Sequence, residues 1–179
     1  SITTKRIASL LYPDPVLTQH HLDLGQKMSE YYFAPLADCL KTICLFKRPV
    51  RLGKSTKAIG TTPKISTIYP LNQAQAEIVS KLEVSFNTSQ TWLLHGVTGS
   101  GKTEVYLSLI NKLLIKQPKA QIIVLVPEIS LTPQMVGKFT QHFPEIVTTW
   151  HSHLSDGERF QAWLKMKQDQ PLIVIGSRS

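Results

Sequence analysis

Apolar and polar positions along the chain follow two regimes that meet near residue 70. Before that point Pro13, Pro15, Pro35, Pro49, Pro63 and Pro70 interrupt any long period. Two short helical stretches are predicted there. Leu24, Met28, Tyr31 and Tyr32 recur at i, i+4, i+7 and i+8, which places a helix over Asp23–Phe33. A second apolar stretch, Leu36–Phe46, follows Pro35. Residues 47–70, rich in Lys, Thr, Gly and Pro, read as a linker or an extended basic arm.

From Leu71 onward the pattern becomes regular. Asn72 caps a helix through about Leu82, with Ala76, Val79 and Leu82 on one side. Trp92–His95 reads as a strand. A helix through about Lys116 follows, with Val105, Leu109 and Leu113 on one face. Gln121–Val126 is a continuous apolar strand of the kind buried on both faces in a parallel sheet. Thr132-Pro133 starts a helix that ends before Pro144, and Ile146–Trp150 is the next strand. Ser155-Asp156-Gly157-Glu158 is a capping box for a helix through about Lys167, and Leu172–Ile175 is the last strand. Four strands alternating with three helices predict an α/β domain: a parallel sheet flanked by helices, preceded by a small, mostly irregular or helical basic region.

Between the first strand and its helix lies Gly96-Val97-Thr98-Gly99-Ser100-Gly101-Lys102-Thr103, which satisfies G-x-x-x-x-G-K-[ST]. In this phosphate-binding P-loop the glycines let backbone N–H groups turn inward around a nucleotide's phosphates. Lys102 reaches the β- and γ-oxygens and the Thr103 hydroxyl ligates Mg²⁺. A chance match over a chain of this length is expected at about 1% or less. The strand–loop–helix setting is the one the motif requires. An ATP-type ligand with Mg²⁺ is the expected cofactor.

Composition narrows the class. With 42% hydrophobic and 18% charged residues the chain is globular rather than disordered. No apolar run approaches the ~20 residues that span a bilayer, and Ile7–Tyr12 is too short for a signal-peptide core. A cytoplasmic protein without membrane partners is expected. Both ends look cut, so the sequence reads as part of a longer one. The net charge of +8 is unevenly placed: residues 1–70 hold ten Lys/Arg against four Asp/Glu, residues 71–179 ten against eight. No acidic residue occurs between Asp38 and Glu77, whereas Lys41, Lys47, Arg48, Arg51, Lys54, Lys57 and Lys64 all do. Such a run favours a polyanion through counterion release, or else serves as a solvated linker.

Other candidate chemistry is thinner. Cys39 and Cys44 have no further cysteine to complete a zinc set and read as buried thiols. His95 reads as a strand-end side chain. His151 and His153 could share a metal, but with no third ligand in view they read as a strand-to-helix loop. Hydrolysis also needs an acidic residue on a neighbouring strand to hold Mg²⁺ and position water. Glu128 follows Val126-Pro127, yet Leu172–Ile175 runs into Gly176-Ser177-Arg178 without an acid, and no Asp-Glu pair follows any apolar strand.

Several blocks in order, LLHGVTGSGKTEVYL (Leu93–Leu107), VLVPEISLTPQ (Val124–Gln134), HSHLSDGERFQAW (His151–Trp163) and IVIGSRS (Ile173–Ser179), resemble the primosomal protein N′ (PriA) family of replication-restart helicases. The block from Tyr31-Tyr32 to Leu40 is similar to the junction of that family's N-terminal DNA-binding and winged-helix regions. The resemblance implies a RecA-like fold and an ATP-dependent 3′→5′ DNA helicase that assembles the primosome at stalled forks. It divides the chain into residues 1–46, the end of the DNA-binding domain with a remnant of the winged helix; 47–70, the basic linker; and 71–179, the first helicase lobe, truncated before motif II.

Residue by residue, the resemblance makes Gly96 to Thr103 motif I and Gln75 the adenine contact. Pro127, Glu128 and Thr132 fall in motif Ia, and Arg178 with Ser179 in the next motif; both motifs line the single-strand path. Lys47, Arg48 and Arg51 of the basic arm join them as DNA contacts. Implied partners are forked and single-stranded DNA, primosome proteins and single-stranded DNA-binding protein, for a monomeric, nucleoid-associated protein. His153 departs from the family's usual glycine, Ser177 from a common threonine and Ala37 from a usual glycine. The segment from Leu36 to Leu71 is short for a full winged helix. The family's Asp-Glu-Glu-His motif, second motor lobe and zinc-binding cysteines would all lie beyond Ser179.

Two other readings stay open. A P-loop kinase would need an Arg-rich lid, but only Arg159 and Arg178 follow the P-loop. A nucleotide- and DNA-binding module that does not turn over fits the chain taken by itself, because the water-positioning acid and a partner lobe's arginine are absent from the sequence.

Overall fold

A computed structural model of the chain describes residues 15–44, 70–127 and 133–177. Lys47, Arg48, Arg51, Glu128, Thr132, Arg178 and Ser179, and the linker up to residue 69, lie outside the described residues. The chain divides into two compact units. The described parts of the first are residues 15–44 and 154–164; those of the second are 70–127, 133–153 and 165–177.

In the first unit, α1 (Gln19–Tyr32) begins four residues ahead of the predicted Asp23. The Thr18 N–H donates to His21 Nδ1 at 3.0 Å, so a histidine fills the third-residue position where glutamate or glutamine usually signals a start. The helix ends in a left-handed Phe33 (φ 51°), ahead of an alanine whose following Pro35 steers it away from helical geometry. Helix α2 (Leu36–Ile43) then packs on α1. Gly25 permits that approach, because a Cβ there would lie 2.6 Å from Leu40 Cδ2. Cys39 is buried and Cys44 half-buried, and neither forms a disulfide. Phe160 and Trp163 of α6 (Asp156–Lys167) stack with ring centroids 5.6 Å apart, and Val16, Cys44 and Leu164 pack against them. The start of α6 is the predicted capping box: Glu158 accepts from the Ser155 N–H at 2.8 Å and from its hydroxyl at 2.7 Å.

The second unit carries the sheet. Its elements are α3 (Gln73–Glu83), α4 (Lys102–Lys116), β1 (Gln121–Val126), α5 (Pro133–His142), β2 (Val147–Trp150) and β3 (Leu172–Ser177). The strands run parallel in the order β1-β3-β2, with Ile123 opposite Val174 and Thr149 opposite Ile175. Leu107, Ile110 and Leu114 of α4 join Phe139, Phe143, Ile146, Ile173 and Ile175 in one core, with Ile122 and Val124 against it. Burying each of those phenylalanines contributes about 1.5–3 kcal/mol. A second tie is ionic: Glu83 of α3 lies 2.5 Å from Lys112 and 2.8 Å from Lys116 of α4. The Lys112 ammonium foremost, then that of Lys116, holds the Glu83 carboxyl below the ordinary carboxylate value.

Two expectations about strands are corrected. Trp92–His95 forms no strand: it has no ladder partner among the described residues, and Leu93 is 92% exposed. Nor is β1 covered on both faces. Ile122 and Val124 face the core, but Ile123 and Leu125 are 71% and 72% exposed. Only β3, hydrogen-bonded on both edges, is buried along its whole length. The continuous apolar run in β1 reflects a face that nothing among the described residues covers. No described helix is long and apolar enough to cross a membrane.

Candidate nucleotide-binding site

The loop from Gly96 to Gly101 ends on the first turn of α4, where unpaired backbone N–H groups and the helix dipole favour an anion. Two positions require glycine for backbone reasons: Gly99 and Gly101 have φ of 81° and 83°, in the left-handed region that costs a side chain about 1–2 kcal/mol. The Ser100 N–H donates to the Val97 carbonyl at 3.2 Å, closing a turn inside the loop. Lys102 folds back over the loop, its ammonium donating to the Gly96 and Val97 carbonyls at 2.7 and 2.8 Å. The cation is therefore held at the loop's centre by groups that compete weakly with phosphate oxygens. Thr103 is half-buried beside it on the first turn.

Gln75 is brought to the same place from α3. Its Oε1 accepts the Asn72 N–H at 2.9 Å, while Asn72 Oδ1 accepts the Gln75 N–H at 2.9 Å, which makes the pair a reciprocal helix cap. Its Nε2 donates to the Gly101 carbonyl at 3.4 Å. The amide keeps one further N–H and one further lone pair, the pairing that matches the N6/N7 edge of adenine. Gly101 is thus hemmed in twice, since a Cβ there would sit 2.1 Å from Gln75 Nε2.

Glu104, on the first turn of α4, was not singled out by the sequence. Its carboxylate lies 3.9 Å from the Lys138 ammonium, linking the P-loop helix to α5. An acid after G-K-T signals little without the fold, because the partner is 34 residues away. His95 is exposed ahead of the loop. The His151 and His153 rings lie 6.1 Å apart, and no group of three metal-ligating side chains occurs among the described residues. Pro127 is exposed at the end of β1. The other residues expected along a DNA path fall outside the described ones.

Comparison with known proteins decides the family. Residues 68–178 match the family described as type III restriction enzyme, res subunit. The chain belongs to that family. Residues 1–44 match a second family, described as 3′DNA-binding domain (3′BD). Within the res-subunit family, the chain is similar to the replication restart protein PriA of several bacteria. It is 46% identical to that of Bacillus subtilis over 112 residues, 62% of this chain and 14% of the relative. With that of Helicobacter pylori (strain 26695) the identity is 33% over 164 residues, 91% of this chain and 24% of the relative. With that of Treponema pallidum it is 29% over 177 residues, 99% of this chain and 26% of the relative. The chain thus spans between about one seventh and one quarter of the length of these relatives. The α/β architecture with a parallel sheet flanked by helices is that of a res-subunit-type, RecA-like lobe.

Proposed function

We propose that this chain is the nucleotide-binding lobe of a replication-restart DNA helicase moving 3′→5′, joined to a DNA-binding segment at its N-terminal side. The observation that carries the reading is the loop from Gly96 to Thr103. Its two left-handed glycines and the inward Lys102 stand on a helix N-terminus, with Gln75 bonded to the loop from α3. That arrangement suits a purine nucleoside triphosphate: backbone N–H groups and Lys102 for the phosphates, Thr103 for Mg²⁺, and the spare donor and acceptor of Gln75 for adenine. Bound Mg²⁺ and triphosphate would supply the leaving group and its charge neutralisation. This chain's own groups bind and orient.

Turnover by the chain alone is not expected, because the sequence holds no adjacent Asp-Glu pair to position water. Similarity to PriA, with the 3′DNA-binding-domain match, supports forked and single-stranded DNA as the polymer, and primosome and single-strand-binding proteins as partners. The test is ATP hydrolysis with and without single-stranded DNA, by the 179-residue chain and by the longest protein that contains it. The longer protein should hydrolyse ATP in a DNA-stimulated manner that Lys102→Ala abolishes, while the chain alone stays near background. Robust turnover by the chain alone would refute the division of labour, and DNA-independent turnover by the longer protein would refute the helicase reading.

A further inference from the structure

At Gly101, where the P-loop meets α4, side chains from two helices converge. A Cβ there would lie 2.1 Å from Gln75 Nε2 of α3 and 3.5 Å from Glu104 Oε2 of α4. Amide and carboxylate therefore stand on the same side of Gly101. They do not bond to each other: Gln75 bonds to Asn72 and to the Gly101 carbonyl.

The fold gives Glu104 little else to do. A glutamate at the third helical position ordinarily closes back on the N–H of the cap residue, but Glu104 makes no such bond to Gly101. Its one ion pair among the described residues, with Lys138, is long at 3.9 Å, and the Lys138 side chain is 49% exposed. A pair of that kind holds a carboxylate weakly. The Glu104 side chain is itself only 32% exposed. A carboxylate on this first turn also competes with a triphosphate for the same helix N-terminus. Phosphate binding alone thus gives no reason for an acid here, whereas a ligand group that donates a hydrogen bond does.

We infer that Glu104 determines base specificity at the nucleotide site, accepting an N6–H of adenine beside Gln75. The inference rests on the triphosphate reading above and adds a second base contact to it. Adenine's 6-amino group carries two hydrogens. The spare acceptor and donor of Gln75 match one of them together with N7, which leaves the other needing an acceptor. An ionised carboxylate is an acceptor only, and its hydrogen bonds are the stronger, charge-assisted kind. Guanine presents the O6 carbonyl where adenine has N6. Lone pairs then face a carboxylate, so the same residue that holds adenine rejects guanine.

The test is competition against a fluorescent ATP analogue on the 179-residue chain, with the Mg²⁺ complexes of ATP, GTP and purine riboside triphosphate. The last of these lacks the 6-amino group. Wild type should prefer ATP to GTP by about tenfold or more, and Glu104→Gln should cut that preference about tenfold. The glutamine amide keeps the size of the side chain but can turn to donate to O6. Removing a negative charge near the phosphates acts on every triphosphate alike, so the ratio isolates the base. Purine riboside triphosphate, with no N6–H to give, should bind Glu104→Gln no more weakly than wild type. Lys138→Ala should keep the preference for ATP. A ratio unchanged by Glu104→Gln, or lowered equally by Lys138→Ala, overturns the inference and leaves the P-loop reading standing. Failure of the wild-type chain to bind any of the three overturns both.

Discussion

Replacing Gly101 by alanine perturbs the P-loop in two separable ways. The first is backbone strain: with φ at 83°, a Cβ costs about 1–2 kcal/mol. The second is displacement of Gln75, whose Nε2 lies 2.1 Å from where the Cβ would be. A glutamine end can swing away, so the added cost is its bond to the Gly101 carbonyl, about 0.5–1.5 kcal/mol. Gly99→Ala is the natural control. Its φ of 81° imposes the same strain, but its Cβ would meet nothing within 4 Å. Gly101→Ala should therefore lower the melting temperature by about 1–6 °C more than Gly99→Ala, at roughly 2–4 °C per kcal/mol for a chain of this size. In a Gln75→Ala background that excess should vanish. The assay is thermal unfolding of the three single and two double variants, read as double-mutant cycles. Equal destabilisation by the two glycine substitutions in the wild-type background, or an excess that survives Gln75→Ala, would refute the Gln75–Gly101 contact.

Other expectations follow from the same geometry. Glu83 has a folded pKa below its unfolded value, so its stabilisation is fully present above the unfolded value and lost as pH falls through the folded one. The melting-temperature gap between wild type and Glu83→Gln should accordingly be full at neutral pH and close as pH falls below the ordinary carboxylate value of 4.5. Phe139→Ala, at a core position that is 1% exposed, should cost about 3–5 kcal/mol in urea unfolding. Neutralising Lys47, Arg48 and Arg51 together should reduce the slope of log K against log salt for single-stranded DNA by about 2. An unchanged slope would make that segment a linker only.

Helix positions were the most legible part of the fold. Asn72 with Gln75, and Ser155 with Glu158, are paired caps whose partners lie three residues apart, so sequence alone contains both halves. The start of α1 escaped because His21 occupies the place of the usual acid or amide. Strands were harder for a physical reason: an apolar run records what a segment can bury, while a strand exists only if a ladder partner is beside it. Trp92–His95 reads as a strand and β1 as one buried on both faces, yet the first lacks a described partner and the second leaves Ile123 and Leu125 uncovered.

At the site, the P-loop was readable because its chemistry is local to eight residues. Gln75 was named only through family resemblance. Its bond to Gly101 spans 26 positions, and the Glu104–Lys138 pair spans 34, distances that only the fold closes.

The central claim is that Gly96 to Thr103 cradles a triphosphate through Lys102. Titration of the 179-residue chain with Mg²⁺ and a fluorescent ATP analogue tests it most directly. Saturable binding that weakens tenfold or more in Lys102→Ala, about 1.4 kcal/mol or more, with the unliganded variant still unfolding cooperatively well above the assay temperature, is the predicted result. Absence of binding by the wild-type chain, or equal binding by Lys102→Ala, would contradict it.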